Sequence, residues 1–241
     1  MELPLDDLDA ISLEALDERA ELLRRVDRKY VADREQLAQL IGRLGDDHDV
    51  LEMEGRRVFA YDTVYLDTDD LRCFRDHVED VRPRFKARTR CYVDAGECLF
   101  EVKVKRADGE TDKRQTDDLD TKRELLEATL RDDGIEPPGD MREVLRTTFD
   151  RVTLAAREGG ARLTIDLGVT LAAVDGESVR MHEGLALVET KSEDGESPAD
   201  RALAEVGARP IGLSKYRTGI DALVRRDETG EVEEARALFA P

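Results

Sequence analysis

The sequence predicts an α+β protein built on an antiparallel β-barrel with peripheral helices, and three observations carry that expectation. Short runs rich in β-branched and aromatic residues recur at even spacing, Gly- and Asp-containing turns join neighbouring runs as hairpins, and few helical crossovers of the kind a parallel sheet needs interrupt them. A chain of 241 residues is long enough to bury a sizeable core within a single such barrel.

Residues 5–24 read as an acidic amphipathic helix, with Leu5, Leu8, Ile11, Leu16 and Leu23 as its apolar stripe. A short strand follows over 25–31. Asp33 is placed to cap a helix through Leu44, with Gln36 as capping-box partner and Gly45-Asp46-Asp47 as the stop. The pattern turns to β over 50–67, and Asp67-Thr68-Asp69-Asp70 reads as the cap of a short helix over 70–78 rather than as a metal site. Strands over 82–93 and 98–106 are joined by Asp94-Ala95-Gly96-Glu97, and Asp108-Gly109 leads into a third strand ending at Thr116. Residues 120–146 read as helical with a break at Pro137-Pro138-Gly139. Strands over 147–156, 162–171 and 184–192 come next, then a helix over 198–206, a basic loop around Ser214-Lys215-Tyr216 and a helix to about Arg226. The expected organisation is an N-terminal acidic segment over 1–24, a barrel domain over 25–226 and an acidic tail over 227–241.

Composition narrows the function. The net charge of −19 argues against general binding to nucleic acid or anionic membranes. No stretch approaches the ~20 apolar residues of a membrane helix, and the N-terminus lacks the basic start and apolar run of a signal peptide, so a cytoplasmic protein is expected. His48, His77 and His182 are far apart, and Cys73, Cys91 and Cys98 lack CxxC spacing, so zinc chemistry is not indicated; Cys91 and Cys98, flanking a hairpin turn, read as small packing residues. No GxxxxGK[ST] segment is present, which excludes a P-loop.

The cations are concentrated. Between Arg82 and Arg114 ten Lys or Arg stand against six Asp or Glu, an excess of +4, so the rest of the chain carries −23. Strand alternation places Arg82, Arg84, Lys86, Arg88 and Arg90 on one face and Phe85, Ala87, Thr89 and Cys91 on the other; in the next strand Glu101, Lys103 and Lys105 share a face. Such rows usually form the solvated side of a sheet. Here, however, like charges stacked on one face repel unless an anion or a carboxylate sits among them. The alternation also recurs, with acids interleaved, at Arg25, Asp27 and Lys29, at Arg162, Thr164 and Asp166, and at Glu189 and Lys191. An interior of this kind suits a polyanion, and a carboxylate among the cations suits Mg²⁺ or Mn²⁺.

Seven ordered pieces carry a family resemblance: RVDRKYV from Arg25, YLDTDDL from Tyr65, FKARTRCY from Phe85, FEVKVK from Phe100, RLTIDLGV from Arg162, LVETKS from Leu187 and LSKYRTGI from Leu213. Together they resemble the VTC-type polyphosphate polymerase domain of the triphosphate tunnel metalloenzyme (CYTH-like) superfamily, over about Arg25 to Gly219. The resemblance implies a tunnel barrel in which Lys29, Arg88, Arg90 and Lys103 bind phosphate, with Lys113, Arg151, Arg162, Lys191 and Lys215 as further phosphate ligands. It implies Glu189 as the ligand of Mn²⁺ or Mg²⁺, and Glu101 and Asp166 as secondary metal or counter-charge candidates. In the third strand Lys113 and Arg114 are adjacent, so only one can point inward, and Lys113 is expected to do so. The Glu-x-Glu-x-Lys signature of the superfamily's hydrolases falls on Arg25, Asp27 and Lys29, so its first acid is a base here. That departure weighs against a metal-dependent triphosphatase relative to a polymerase or a phosphate-chain binder, and the leading reading is an ATP-polyphosphate phosphotransferase, with ATP or triphosphate and polyphosphate as partners. The alternatives are a metal-dependent tri- or polyphosphatase and a non-catalytic module that binds polyphosphate or inositol phosphates.

Overall fold

The computed structural model describes residues 1–19, 26–225 and 233–240. Its principal elements in chain order are β1 (Val26–Asp33), α1 (Arg34–Leu44), β2 (His48–Leu51), β3 (Phe59–Asp67), α2 (Arg72–Val78), β4 (Arg84–Tyr92), β5 (Glu97–Lys105), β6 (Thr111–Thr116), α3 (Lys122–Asp132), β7 (Arg142–Ala156), β8 (Arg162–Ala173), β9 (Ser178–Met181), β10 (Leu185–Ser192), α4 (Pro198–Glu205) and α5 (Lys215–Gly219). They form two compact units, one from residues 1–59, 149–169 and 181–212, the other from 60–148, 170–180 and 213–241. The strands β7 and β8 are long enough to contribute residues to both.

In the first unit the strand order runs from the short pair Arg209–Pro210 through β1, β10 and β8 to β7, with β2 paired to β7 at its far edge. One face of β1, β10 and β8 is apolar. Tyr30, Ala32, Ala186, Val188, Leu163 and Ile165 pack there with Leu37, Leu40, Ile41 and Leu44 of α1 and Ala199, Ala202 and Leu203 of α4. Helix α1 starts as the sequence dictates: Asp33 accepts from the Gln36 amide at 2.9 Å and the Gln36 side chain accepts from the Asp33 amide at 3.0 Å. Asp200 of α4 is buried beneath this layer and accepts from the hydroxyls of Tyr30 (2.8 Å), Thr190 (2.6 Å) and Ser197 and from the Ser197 amide (2.9 Å). It joins strands β1 and β10 to the start of α4.

The second unit holds the antiparallel meander β3-β4-β5-β6, with β7 next to β3 and β9 on the second part of β8. Phe85, Ala87, Phe100, Val102 and Val104 form its buried face, and α3 packs on β5 with Leu126 and Leu130 buried. Asp67 closes β3 and opens α2, accepting from the amides of Cys73 (2.8 Å) and Phe74 (3.1 Å), which is the capping role expected of the acidic run. Gly219 ends α5 where a Cβ would lie 2.5 Å from Leu145 Cδ2, so a larger residue requires the Leu145 side chain to move.

Four expectations are corrected. The strand paths have free ends, at β6 in the second unit and at Arg209–Pro210 in the first, so among the described residues the sheet does not close into a barrel; what holds is a large antiparallel sheet with helices. Residues 142–146 are strand rather than helix, because Val144 and Leu145 are buried when β7 lies next to β3, and Arg146 meets Asp62 of β3. Among the described residues the N-terminal helix starts only at Leu13 and covers Leu13–Arg19, with Ala10–Ile11 drawn into a parallel pairing with β2; the rest of the expected helix, Leu23 included, and the expected base at Arg25 lie outside the described residues. Cys91 and Cys98 are not separate packing residues: they stand directly opposite each other across β4 and β5, with Cα atoms 4.0 Å apart, and form a disulfide. Among the described residues no helix is long and apolar enough to cross a membrane.

Asp200→Ala leaves several buried donors without an acceptor, so we expect it to lower stability by about 3 kcal/mol, read as a fall in the urea midpoint at unchanged m-value.

Candidate phosphate-binding site

Register turns the alternating rows into a charged surface on each unit. On the second unit, Arg84, Lys86, Arg88 and Arg90 of β4 face Lys105, Lys103, Glu101 and Leu99 of β5, and Lys103 and Glu101 face Lys113 and Gln115 of β6. Lys86, Lys103 and Lys113 are thus directly opposite one another across three strands, beside a row made of Tyr65, Arg88, Glu101 and Gln115. Lys113 does point to this face, while Arg114 turns the other way and pairs with Asp112 and Asp132.

Glu101 holds this surface together. It is buried, and Arg88 and Arg90 approach its Oε2 (2.5 and 3.9 Å) while the Lys113 ammonium sits against Oε1. Burial would raise its carboxyl, but Arg88, Arg90 and Lys113 outweigh it and pull the carboxyl from 4.5 down to about 2. With both oxygens taken by cations, Glu101 is a counter-charge rather than a metal ligand. Aromatic rings line the same surface: the Arg90 guanidinium lies 5.6 Å from the Tyr61 ring centre, and the Lys86 ammonium 5.4 Å from that of Tyr216. Lys215 begins α5, immediately before Tyr216.

The first unit carries the second surface, on the side of β1, β10 and β8 opposite its core. Lys29, Glu189 and Thr164 form one cross-strand row, and Asp27, Lys191 and Arg162 the next. Glu189 receives Lys191 at 2.7 Å and Lys29 at 3.3 Å, and Lys191 also approaches Asp27 at 3.6 Å. Burial would push the Glu189 carboxyl up, yet Lys191, Lys29 and Arg151 hold it well below the usual range. Lys191 is shifted down by its own burial, despite Glu189 and Asp27. Arg151 grips Asp166 with two bonds, 2.6 and 2.8 Å, and lies 5.0 Å from the Phe149 ring. The pair is buried at Asp166 rather than being the exposed surface contact that such residues often make.

A divalent cation can be tested against these acids. Among the described residues no group of three or more His, Cys, Asp or Glu is gathered as a metal cage. Mg²⁺ and Mn²⁺ bound with phosphates need less, one or two carboxylates completed by phosphate oxygens and water. Asp166 and Glu101 spend both oxygens on cations, whereas both lysine contacts of Glu189 go to Oε1. Glu189, ionised and with Oε2 outside those ion pairs, fits the expected ligand.

Part of this charged, strand-paired region is similar to a known family. The VTC domain family matches residues 24–134, which takes in β1 and the whole β3-β4-β5-β6 meander. That segment, a little under half of the chain, is similar to the VTC domain family. The pieces from Arg162, Leu187 and Leu213, with Arg151, Glu189, Lys191 and Lys215, lie beyond the matched span. Similarity of structure reaches further than the VTC match. A candidate adenylate cyclase from Bacillus halodurans superposes with a TM-score of 0.53 at 15% identity, covering 83% of this chain and 97% of the other, which shows a shared fold. A candidate adenylyl cyclase from Hippeastrum, described as having a dominant triphosphatase activity, gives 0.49 at 16% identity, covering 87% and 98%. No curated protein matches the sequence.

Reasoning from the sequence missed the aromatic partners of the second unit's charged surface, Tyr61, Tyr65 and Tyr216, and the place of Lys86 beside Lys103. Register is what identifies them; the alternation in YLDTDDL and LSKYRTGI gave no sign that the two pieces would meet.

Glu101 ionises near 2 in the folded chain and near 4.5 when unfolded, so its contribution is complete above about pH 4.5 and is lost as pH falls through 2. Glu101→Gln is expected to cost about 3 kcal/mol at pH 7. It should also lose less stability than the unaltered chain between pH 5 and pH 2, in urea titrations across that range.

Proposed function

We propose that the protein is a phosphotransferase that moves the γ-phosphate of ATP to a growing polyphosphate chain. The observation that carries this reading is the row Lys86, Lys103 and Lys113, three like charges placed directly opposite one another next to Arg88 and Arg90. Such a row is unfavourable by itself and becomes favourable when an anion with several charges lies along it. A linear chain of phosphates has that form.

Phosphoryl transfer needs in-line positioning and neutralisation of charge on the equatorial oxygens more than it needs a base. Guanidinium groups fixed in advance supply both. Arg88 and Arg90, held in place by Glu101, would bind the reacting phosphates, with Lys103, Lys113 and Lys215 around them. Lys29, Arg151, Arg162 and Lys191 would provide further phosphate contacts on the first unit. Glu189 would hold the Mn²⁺ or Mg²⁺, which when bound supplies a Lewis acid for phosphate oxygens. The acidic remainder of the chain disfavours competing nucleic acids, and a cytoplasmic location, where ATP is available, accords with this reading.

Incubation with ATP and Mn²⁺, then with Mg²⁺, followed by separation of the products on gels and a phosphate-release assay, tests the proposal. Long phosphate chains with ADP are expected. Free phosphate without chains would replace it with a hydrolase, and tight polyphosphate binding without turnover would replace it with a binding module. Glu189→Gln should lower metal-dependent turnover by about 100-fold or more while tripolyphosphate binding stays within about threefold. Arg88→Ala should weaken that binding by about 30-fold. Unchanged turnover in Glu189→Gln removes the metal assignment.

A further inference from the structure

One polar group on the charged face of the second unit has no role in the account above, the hydroxyl of Tyr65. Its residue stands directly opposite Arg88 in the β3–β4 register, in the row that continues to Glu101. The side chain is 8% exposed. Its cross-strand neighbour Arg88 can only donate, so towards that guanidinium the phenolic oxygen serves as acceptor and its proton is directed elsewhere. The charged groups that press on it are Arg88, Arg90 and Lys215, all of them donors. Burial would push this phenol up, yet the three cations together bring it below its ordinary value. A hydroxyl so surrounded is oriented for an acceptor that arrives with negative charge.

The ring is also held in position. It lies 5.1 Å from the Tyr216 ring at an interplanar angle of 34°. The Tyr216 hydroxyl in turn donates to Asp67, the buried carboxylate that caps α2. A side chain fixed at both ends by register and by stacking loses little further freedom on binding a ligand.

We propose that Tyr65 is a substrate-contacting residue whose hydroxyl donates a hydrogen bond to a phosphate oxygen held by Arg88 and Arg90. This inference rests on the phosphate-binding reading of the second unit. It adds a neutral donor to a set of cations, one that recognises the anion without adding to the repulsion among them.

Tyr65→Phe removes the oxygen alone and keeps the stack on Tyr216. Calorimetric titration of inorganic tripolyphosphate into both proteins should show the variant binding about tenfold or more weakly, at a thermal midpoint close to that of the unaltered chain. Adding tripolyphosphate to the unaltered chain should also shift its tyrosine absorbance, and this signal needs no variant to fold. Equal affinity in Tyr65→Phe, or no change in absorbance when tripolyphosphate binds, overturns the role of Tyr65 and leaves the phosphate site intact. Failure of the unaltered chain to bind tripolyphosphate overturns the phosphate reading and this role with it.

Discussion

Repulsion among cations fixed on one sheet face is the constraint on which the rest of this structure depends. Between Arg84 and Arg90 of β4 and their partners on β5 and β6, seven Lys or Arg side chains share a face with a single carboxylate, Glu101. Cross-strand neighbours stand about 5 Å apart, so those charges cannot be relieved by distance. Burying Glu101 among Arg88, Arg90 and Lys113 offsets part of the repulsion and fixes the guanidiniums in place. On the proposed reading, a polyanion lying along the face offsets more of it.

The first unit meets the same constraint differently. There acids and bases alternate along and across β1, β10 and β8, as in Lys29 beside Glu189 and Asp27 beside Lys191, and the surface is nearly balanced. Balance changes what a carboxylate can do. Glu101 has both oxygens committed to cations, whereas both lysines of Glu189 crowd onto Oε1. On the proposed reading, what separates a counter-charge from a metal ligand is how the two oxygens are shared rather than ionisation, which the two acids have in common.

Beneath each charged face a buried aspartate ties helix to sheet. Asp200 gathers the Tyr30, Thr190 and Ser197 hydroxyls in the first unit, and Asp67 gathers the start of α2 and the Tyr216 hydroxyl in the second. Each satisfies several donors that would otherwise be buried without a partner. By anchoring Tyr216, Asp67 also orders the rings beside Lys86 and Tyr65, and so couples the apolar packing of the second unit to its charged face.

Period-two alternation alone determined which side chains share a face, so the charged rows at Arg88, Lys103, Glu189 and Lys191 and the apolar rows behind them were legible, as was the cap at Asp33. Local chemistry sets such features, and a sequence displays it directly. Register across strands was not legible, because it depends on which distant residues pair. Only the tertiary structure decided that Cys91 meets Cys98, that Tyr65 meets Arg88, that Lys86 joins Lys103 and Lys113, and that residues 142–146 leave a helical pattern to lie next to β3. It also decided that, among the described residues, the sheet stays open at its ends, since closure requires hydrogen bonds between edge strands, and no local pattern specifies those.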